Sequence, residues 1–148
     1  MNTANIFSKL STRASDYSFM PFSESAENVN IALYTQGMYR KAYLAARYIW
    51  SKDLSVHSEL TDYVMESTLL VAEREDWNIG RCSERIQVLV RLAMIEHYAP
   101  GLFRNQKSRY MYCNIPESKW HRLWAKRYEV PYKAISSYLD IAWGSAHK

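Results

Sequence analysis

Glycine and proline are scarce, four of each in 148 residues, which argues against an all-β chain built on tight turns. Cysteine is scarcer still. Cys82 and Cys113 stand alone, with no CxxC pair and no His/Cys cluster, so neither a zinc site nor any other metal site or cofactor is expected. No apolar run approaches the ~20 residues that a membrane span requires. The N-terminus lacks the basic-then-apolar layout of a secretory signal, and the expected location is the cytoplasm. A Gly-rich phosphate loop, GxSxG, HExxH and a nucleophile with an adjacent base are all missing, so the chain is not expected to be an enzyme.

What is present is aromatic and unevenly charged. Twelve Tyr and five Trp, with 48% apolar and 23% charged residues overall, are enough to build a core without staples. They also suit an interface with protein or nucleic acid. Residues 1–100 hold 10 Lys/Arg against 12 Asp/Glu, whereas residues 101–148 hold 9 against 3. Positive charge concentrated at one end points to a polyanionic partner for that end.

Periodicity predicts one all-α domain of five or six helices over 1–148, ending in a helix-turn-helix-like unit. Residues 1–22 form an N-terminal arm. Ser23 caps a helix over about 24–51 with the stripe Val29, Leu33, Tyr34, Met38, Ala42, Ala45, Ala46 and Ile49. Arg40, Lys41 and Arg47 lie among its tyrosines, a weak RNA-binding pattern. A helix from Ser55 or Ser58 to about 75 shows Leu60, Val64, Leu69 and Val71 to the core and an acidic outside. Trp77–Gly80 reads as a turn. Ser83 then caps a buried helix, SERIQVLVRLAMIEHY, with Ile86, Leu89, Val90, Ala93, Met94 and His97 in one stripe. Its outward charges are Glu84, Arg85, Arg91 and Glu96, and His97 reads as a satisfied core histidine. Pro100-Gly101 stops it. Residues 101–113 read as an irregular basic loop whose Arg104, Lys107 and Arg109 can straddle a phosphate backbone.

The stretch 114–144 reads as two helices joined by a turn. Trp120, Leu123, Trp124 and Tyr128 share one face, and Ile135, Leu139, Ala142 and Trp143 another. Asn114 with Glu117 makes a capping box, and Pro131 repeats the start signal for the second helix. The outer faces carry Lys119, Arg122, Lys126, Arg127 and Lys133. Two short helices with a basic outside predict duplex DNA binding over 84–143. In Ala125-x-x-x-Glu129-Val130-x-x-x-x-Ile135 the spacing looks like phage repressor helix-turn-helix units, with Glu129 where glycine is usual. That frame assigns base reading to the helix 131–143, through Tyr132, Lys133, Ser136 and Ser137.

A second resemblance covers Val88–Asp140. Val88-Leu89, Tyr98, Pro116, Ser118 and Arg122 lie in a layout similar to the phage lambda-type Q antitermination proteins: an apolar helix, an insertion, then a Pro-x-Ser start to a basic helix. The family's zinc insertion is absent, and Cys113 stands alone in its place. The resemblance implies a transcription regulator that binds DNA, acts with RNA polymerase in a bacterial host cell and lets it pass terminators. It pairs the helix 84–99 with 116–128 and gives recognition to Ser118, Lys119, Arg122 and Lys126. The acidic helix 56–76 and the Tyr-rich helix 24–50 then become candidate polymerase-facing surfaces. The alternative is a protein-binding inhibitor or adaptor of a host complex with no DNA role, which the aromatic content fits equally well.

Overall fold

The computed structural model describes residues 37–146. All of their regular structure is helical, in five helices. The arm at 1–22, the Ser23 cap and the stripe residues Val29, Leu33 and Tyr34 lie outside the described residues. The described residues form two compact units, one of those up to Leu60 together with those from Ser136 on, the other of Thr61–Ile135. No described helix is long and apolar enough to cross a membrane.

In the first unit, α1 (Gly37–Ile49) buries Ala42, Leu44, Ala45, Ala46 and Tyr48. Met38, expected on the same stripe, is half exposed. The chain turns through Lys52, which takes a left-handed conformation (φ 54°). Asp53 steadies the exit from this turn, accepting the Ser55 amide at 3.0 Å and the Arg47 Nε–H at 3.0 Å. A 3-10 turn at Leu54–Val56 leads into α2 (His57–Arg74). Arg40 makes a two-pronged pair with Glu59, at 2.6 and 2.7 Å. Two of the three cations that suggested RNA contact, Arg40 and Arg47, are thus engaged with carboxylates of their own unit. Trp50 meets Trp143 edge-on at 5.8 Å.

The second unit takes in most of α2, then α3 (Ile79–Tyr98), α4 (Gln106–Cys113) and α5 (117–146) as far as Ile135. Along α2 the buried positions Leu60, Val64, Thr68 and Ala72 recur every fourth residue. Thr68 occupies a core position because its hydroxyl donates to the Val64 carbonyl at 2.8 Å, which satisfies it within the helix. Asp76 and Asn78 are both left-handed, a conformation short polar side chains tolerate. Between them Trp77 folds back under Ala72 and Ile86. The helix that Ser83 was expected to cap begins five residues earlier, at Ile79, because the Arg81 and Cys82 amides both reach the Asn78 carbonyl at 3.0 Å. It stops where Pro100-Gly101 requires, with Gly101 at φ 92°.

Two expectations for the C-terminal third are corrected. The irregular loop at 101–113 contains a helix, α4. Asn105 accepts the Ser108 amide at 2.8 Å, and the Ser108 hydroxyl reaches back to the Asn105 backbone, which closes a capping box. The expected turn at Glu129–Val130 is absent, and α5 runs through Pro131. A proline inside a helix removes one backbone hydrogen bond and costs about 3 kcal/mol on an isolated helix. Here the proline is buried on the same face as Trp124, Tyr128, Ile135, Tyr138 and Ala142. Burial of that unbroken stripe offsets the cost. The repressor-like frame, which needs a turn at Glu129, therefore does not form.

Candidate nucleic-acid interface

Helix α4 ends at Asn114, whose left-handed conformation (φ 56°, ψ 46°) reverses the chain. The Asn114 and Ile115 amides return to Met111 and Tyr110 carbonyls at 3.2 and 3.0 Å. Asn114 thus closes α4 instead of capping the next helix. Pro116 takes the N-cap position, without a side-chain cap, and α5 starts at Glu117. An eight-residue helix, a three-residue turn and a second helix succeed one another. Cys113 and Ile115 are buried on either side of the reversal. Burial pushes the Cys113 thiol up to about 12, so it stays protonated and acts as a small apolar group.

Three side chains fix this pair of helices. Trp120, fully buried, donates its Nε1–H to Gln106 Oε1 at 2.8 Å, joining the start of α4 to α5. Glu96 of α3 was expected to face outward, yet it is only 9% exposed. It accepts Arg109 Nε–H at 2.8 Å and Nη2–H at 3.1 Å, and the Tyr128 hydroxyl at 2.6 Å. A buried carboxylate is retained only where such partners hold it, and these come from α4 and α5. Burial, and after it the bond to Glu96, raises the Tyr128 phenol well above its ordinary value. His97 donates Nε2–H to the Tyr132 carbonyl at 3.0 Å and stacks on that ring at 4.2 Å. Burial pushes its pKa down.

The first turns of α5 depart from α geometry. Trp120–Trp124 form a π turn, closed by the Ala125 amide on the Trp120 carbonyl. A π turn uses more residues per revolution, so Leu123 swings off the Trp120 face and is 38% exposed instead of buried.

The expected contact residues divide into groups. Ser118, Lys119, Arg122 and Lys126 are exposed on α5, and Arg104 and Lys107 are exposed before and at the start of α4. Arg109 is engaged by Glu96. Lys133, beyond Pro131, lies 3.3 Å from Glu129. Arg127 is held between two indoles, its guanidinium 4.9 Å from the Trp77 ring and 4.7 Å from Trp124. Arg85 lies 5.5 Å over the same Trp124.

Lys119, Arg122 and Arg127 also line one concavity of about 970 Å³, together with Arg81, Arg85 and Arg91 of α3. From sequence alone Arg85 and Arg91 read as ordinary outward charges. The signal that joins Arg81 to them is spacing, since 81, 85, 88 and 91 fall on one helical face. Among the described residues no cluster of three or more His, Cys, Asp or Glu is arranged to hold a metal ion. Comparison with known proteins adds no relative: no family model, no curated protein and no solved structure matches the chain.

Proposed function

We propose that this chain binds duplex DNA through the α4–turn–α5 pair and works in transcription control. The observation that carries the reading is the tight reversal at Asn114–Pro116 between the short helix α4 and the first turns of the long helix α5, which are pinned to each other and leave Ser118, Lys119, Arg122 and Lys126 exposed. Such a helix presents its N-terminal residues to base edges in the major groove. Arg122 is the side chain suited to two-pronged contact with guanine. Recognition thus falls on the first turns of α5, as the resemblance to Q proteins implies, but in a unit whose first helix is α4, which lies where a loop was expected, and not the helix 84–99 that the resemblance pairs with it. The narrower assignment, antitermination in partnership with RNA polymerase, rests on that resemblance alone.

The test is fluorescence anisotropy with duplex fragments from the gene's own neighbourhood, for wild type and Arg122→Ala/Lys126→Ala. One fragment should bind preferentially, and the double variant should lose that preference. Absence of salt-sensitive binding to every fragment at low salt would sink the reading. The rival, an adaptor that binds only protein, draws on Leu70, Leu102 and Met111, each more than half exposed. Its partner affinity would resist salt, because an apolar contact releases no counterions.

A further inference from the structure

Six cations meet in the concavity between α3 and the first turns of α5: Arg81, Arg85, Arg91, Lys119, Arg122 and Arg127. Two carboxylates share its lining, Asp76 and Glu84. Neither forms an ion pair with any of the six, nor does any other described carboxylate. Elsewhere in the described chain Arg40 is neutralised by Glu59, Arg47 by Asp53 and Arg109 by Glu96. Arg74, Arg104, Lys107 and Lys126 also lack an ion pair, but they lie outside this lining, whereas six unpaired cations converge here. Their mutual repulsion is relieved by a ligand with several negative charges at regular spacing.

The floor of the concavity is aromatic and tightly buried. Trp77 and Trp124, each 3% exposed, meet edge-on at 6.4 Å and fix Arg127 between them. These indoles are too buried to stack on a base, so the site offers charge and hydrogen-bond donors and no platform for an unpaired base. That favours a duplex backbone over single-stranded nucleic acid, which binds by stacking on exposed aromatics.

We infer that this concavity is a phosphodiester-backbone site, with Arg81, Arg85 and Arg91 of α3 holding the phosphates of one DNA strand while α5 lies in the adjacent major groove. The inference rests on the DNA-binding role proposed for α4 and α5 and extends it to a third helix. Phosphate contacts position a protein on DNA and carry no sequence preference. The α3 arginines thus set affinity and salt response, and Ser118 and Arg122 set base choice.

The experiment measures binding of fluorescein-labelled random-sequence duplex DNA between 50 and 200 mM salt. It compares wild type, Arg81→Ala/Arg85→Ala/Arg91→Ala and the double variant Arg81→Ala/Arg91→Ala. Each phosphate contact contributes about 0.9 to the slope of log affinity against log salt. The triple variant should lose about 2.7 from that slope, so that the fourfold rise in salt costs it about 40-fold less affinity than it costs wild type. The double variant should lose about 1.8. It leaves the Arg85 contact with Trp124 intact and decides the matter if the triple variant loses its helical circular dichroism. Slopes equal to that of wild type in a folded variant would overturn the α3 site and leave the α4–α5 reading standing. A wild type that fails to bind the duplex at 50 mM salt would overturn both.

Discussion

The Glu96 carboxylate is the best place to test how the two interface helices are held. Tyr128→Phe removes one hydrogen bond to a charged acceptor and nothing else. The hydroxyl lies 2.6 Å from Glu96 Oε1, and the residue is 7% exposed. Bonds to charged groups contribute about 1.5–3 kcal/mol, and Glu96 keeps both Arg109 bonds, so the cost should be about 1–2 kcal/mol. Glu96→Gln keeps the shape but exchanges charge-assisted bonds for neutral ones, at about 2 kcal/mol. Glu96→Ala is worse, because it strands the buried phenol as well, at about 3–4 kcal/mol. That figure stays below the full penalty for a broken buried pair because the Arg109 side chain is 24% exposed and can turn to water. Urea unfolding monitored by far-ultraviolet circular dichroism would rank the three. Glu96→Gln and Tyr128→Phe combined should cost about 1 kcal/mol less than their separate costs together, since one weakens and the other removes the same bond. Strict additivity, or a Tyr128→Phe variant within about 0.5 kcal/mol of wild type, would refute the idea that this bond holds α5 to α3.

Two further outcomes concern the same unit. Asn114→Ala should destabilise by about 1–2 kcal/mol and Asn114→Gly should be near neutral, because φ 56° strains any Cβ-bearing residue that lacks a short polar side chain; equal unfolding midpoints for the two would count against the left-handed reversal. The native pKa of His97 is depressed by burial, so its contribution to stability is intact above the ordinary value of 6.5 and is lost as pH falls from there through the lower native value; thermal melts across that window should decline less steeply in His97→Gln.

Burial on the two central helices was largely legible from the sequence. Ile86, Leu89, Val90, Ala93 and Met94 form a stripe that only a buried helix explains, and all five are buried. Sequence and structure part where two local signals compete. Pro131 is a strong start signal, but the stripes on either side of it are in phase: Trp124, Tyr128, Pro131, Ile135 and Tyr138 advance by three or four without a slip. A turn would have broken that register, so phase was the better guide. Asn105 with Ser108 is a visible cap for α4, masked by the basic, polar character of the segment. Glu96 could not be placed from its own neighbourhood. Its partners lie 13 and 32 residues away, and only tertiary structure brings them together. The interface residues divide in the same way. Ser118, Lys119 and Arg122 are set by the helix that carries them, whereas the convergence of α3 arginines on them needed the fold.

The stack of Arg85, Trp124, Arg127 and Trp77 has an optical consequence. Indole emission responds to charge held against the ring, and here two guanidinium groups are held there by packing. An anion that draws either guanidinium away alters the field at Trp124. The concavity therefore carries its own reporter, and unlabelled protein titrated with any polyanion would signal occupancy through its intrinsic colour of emission.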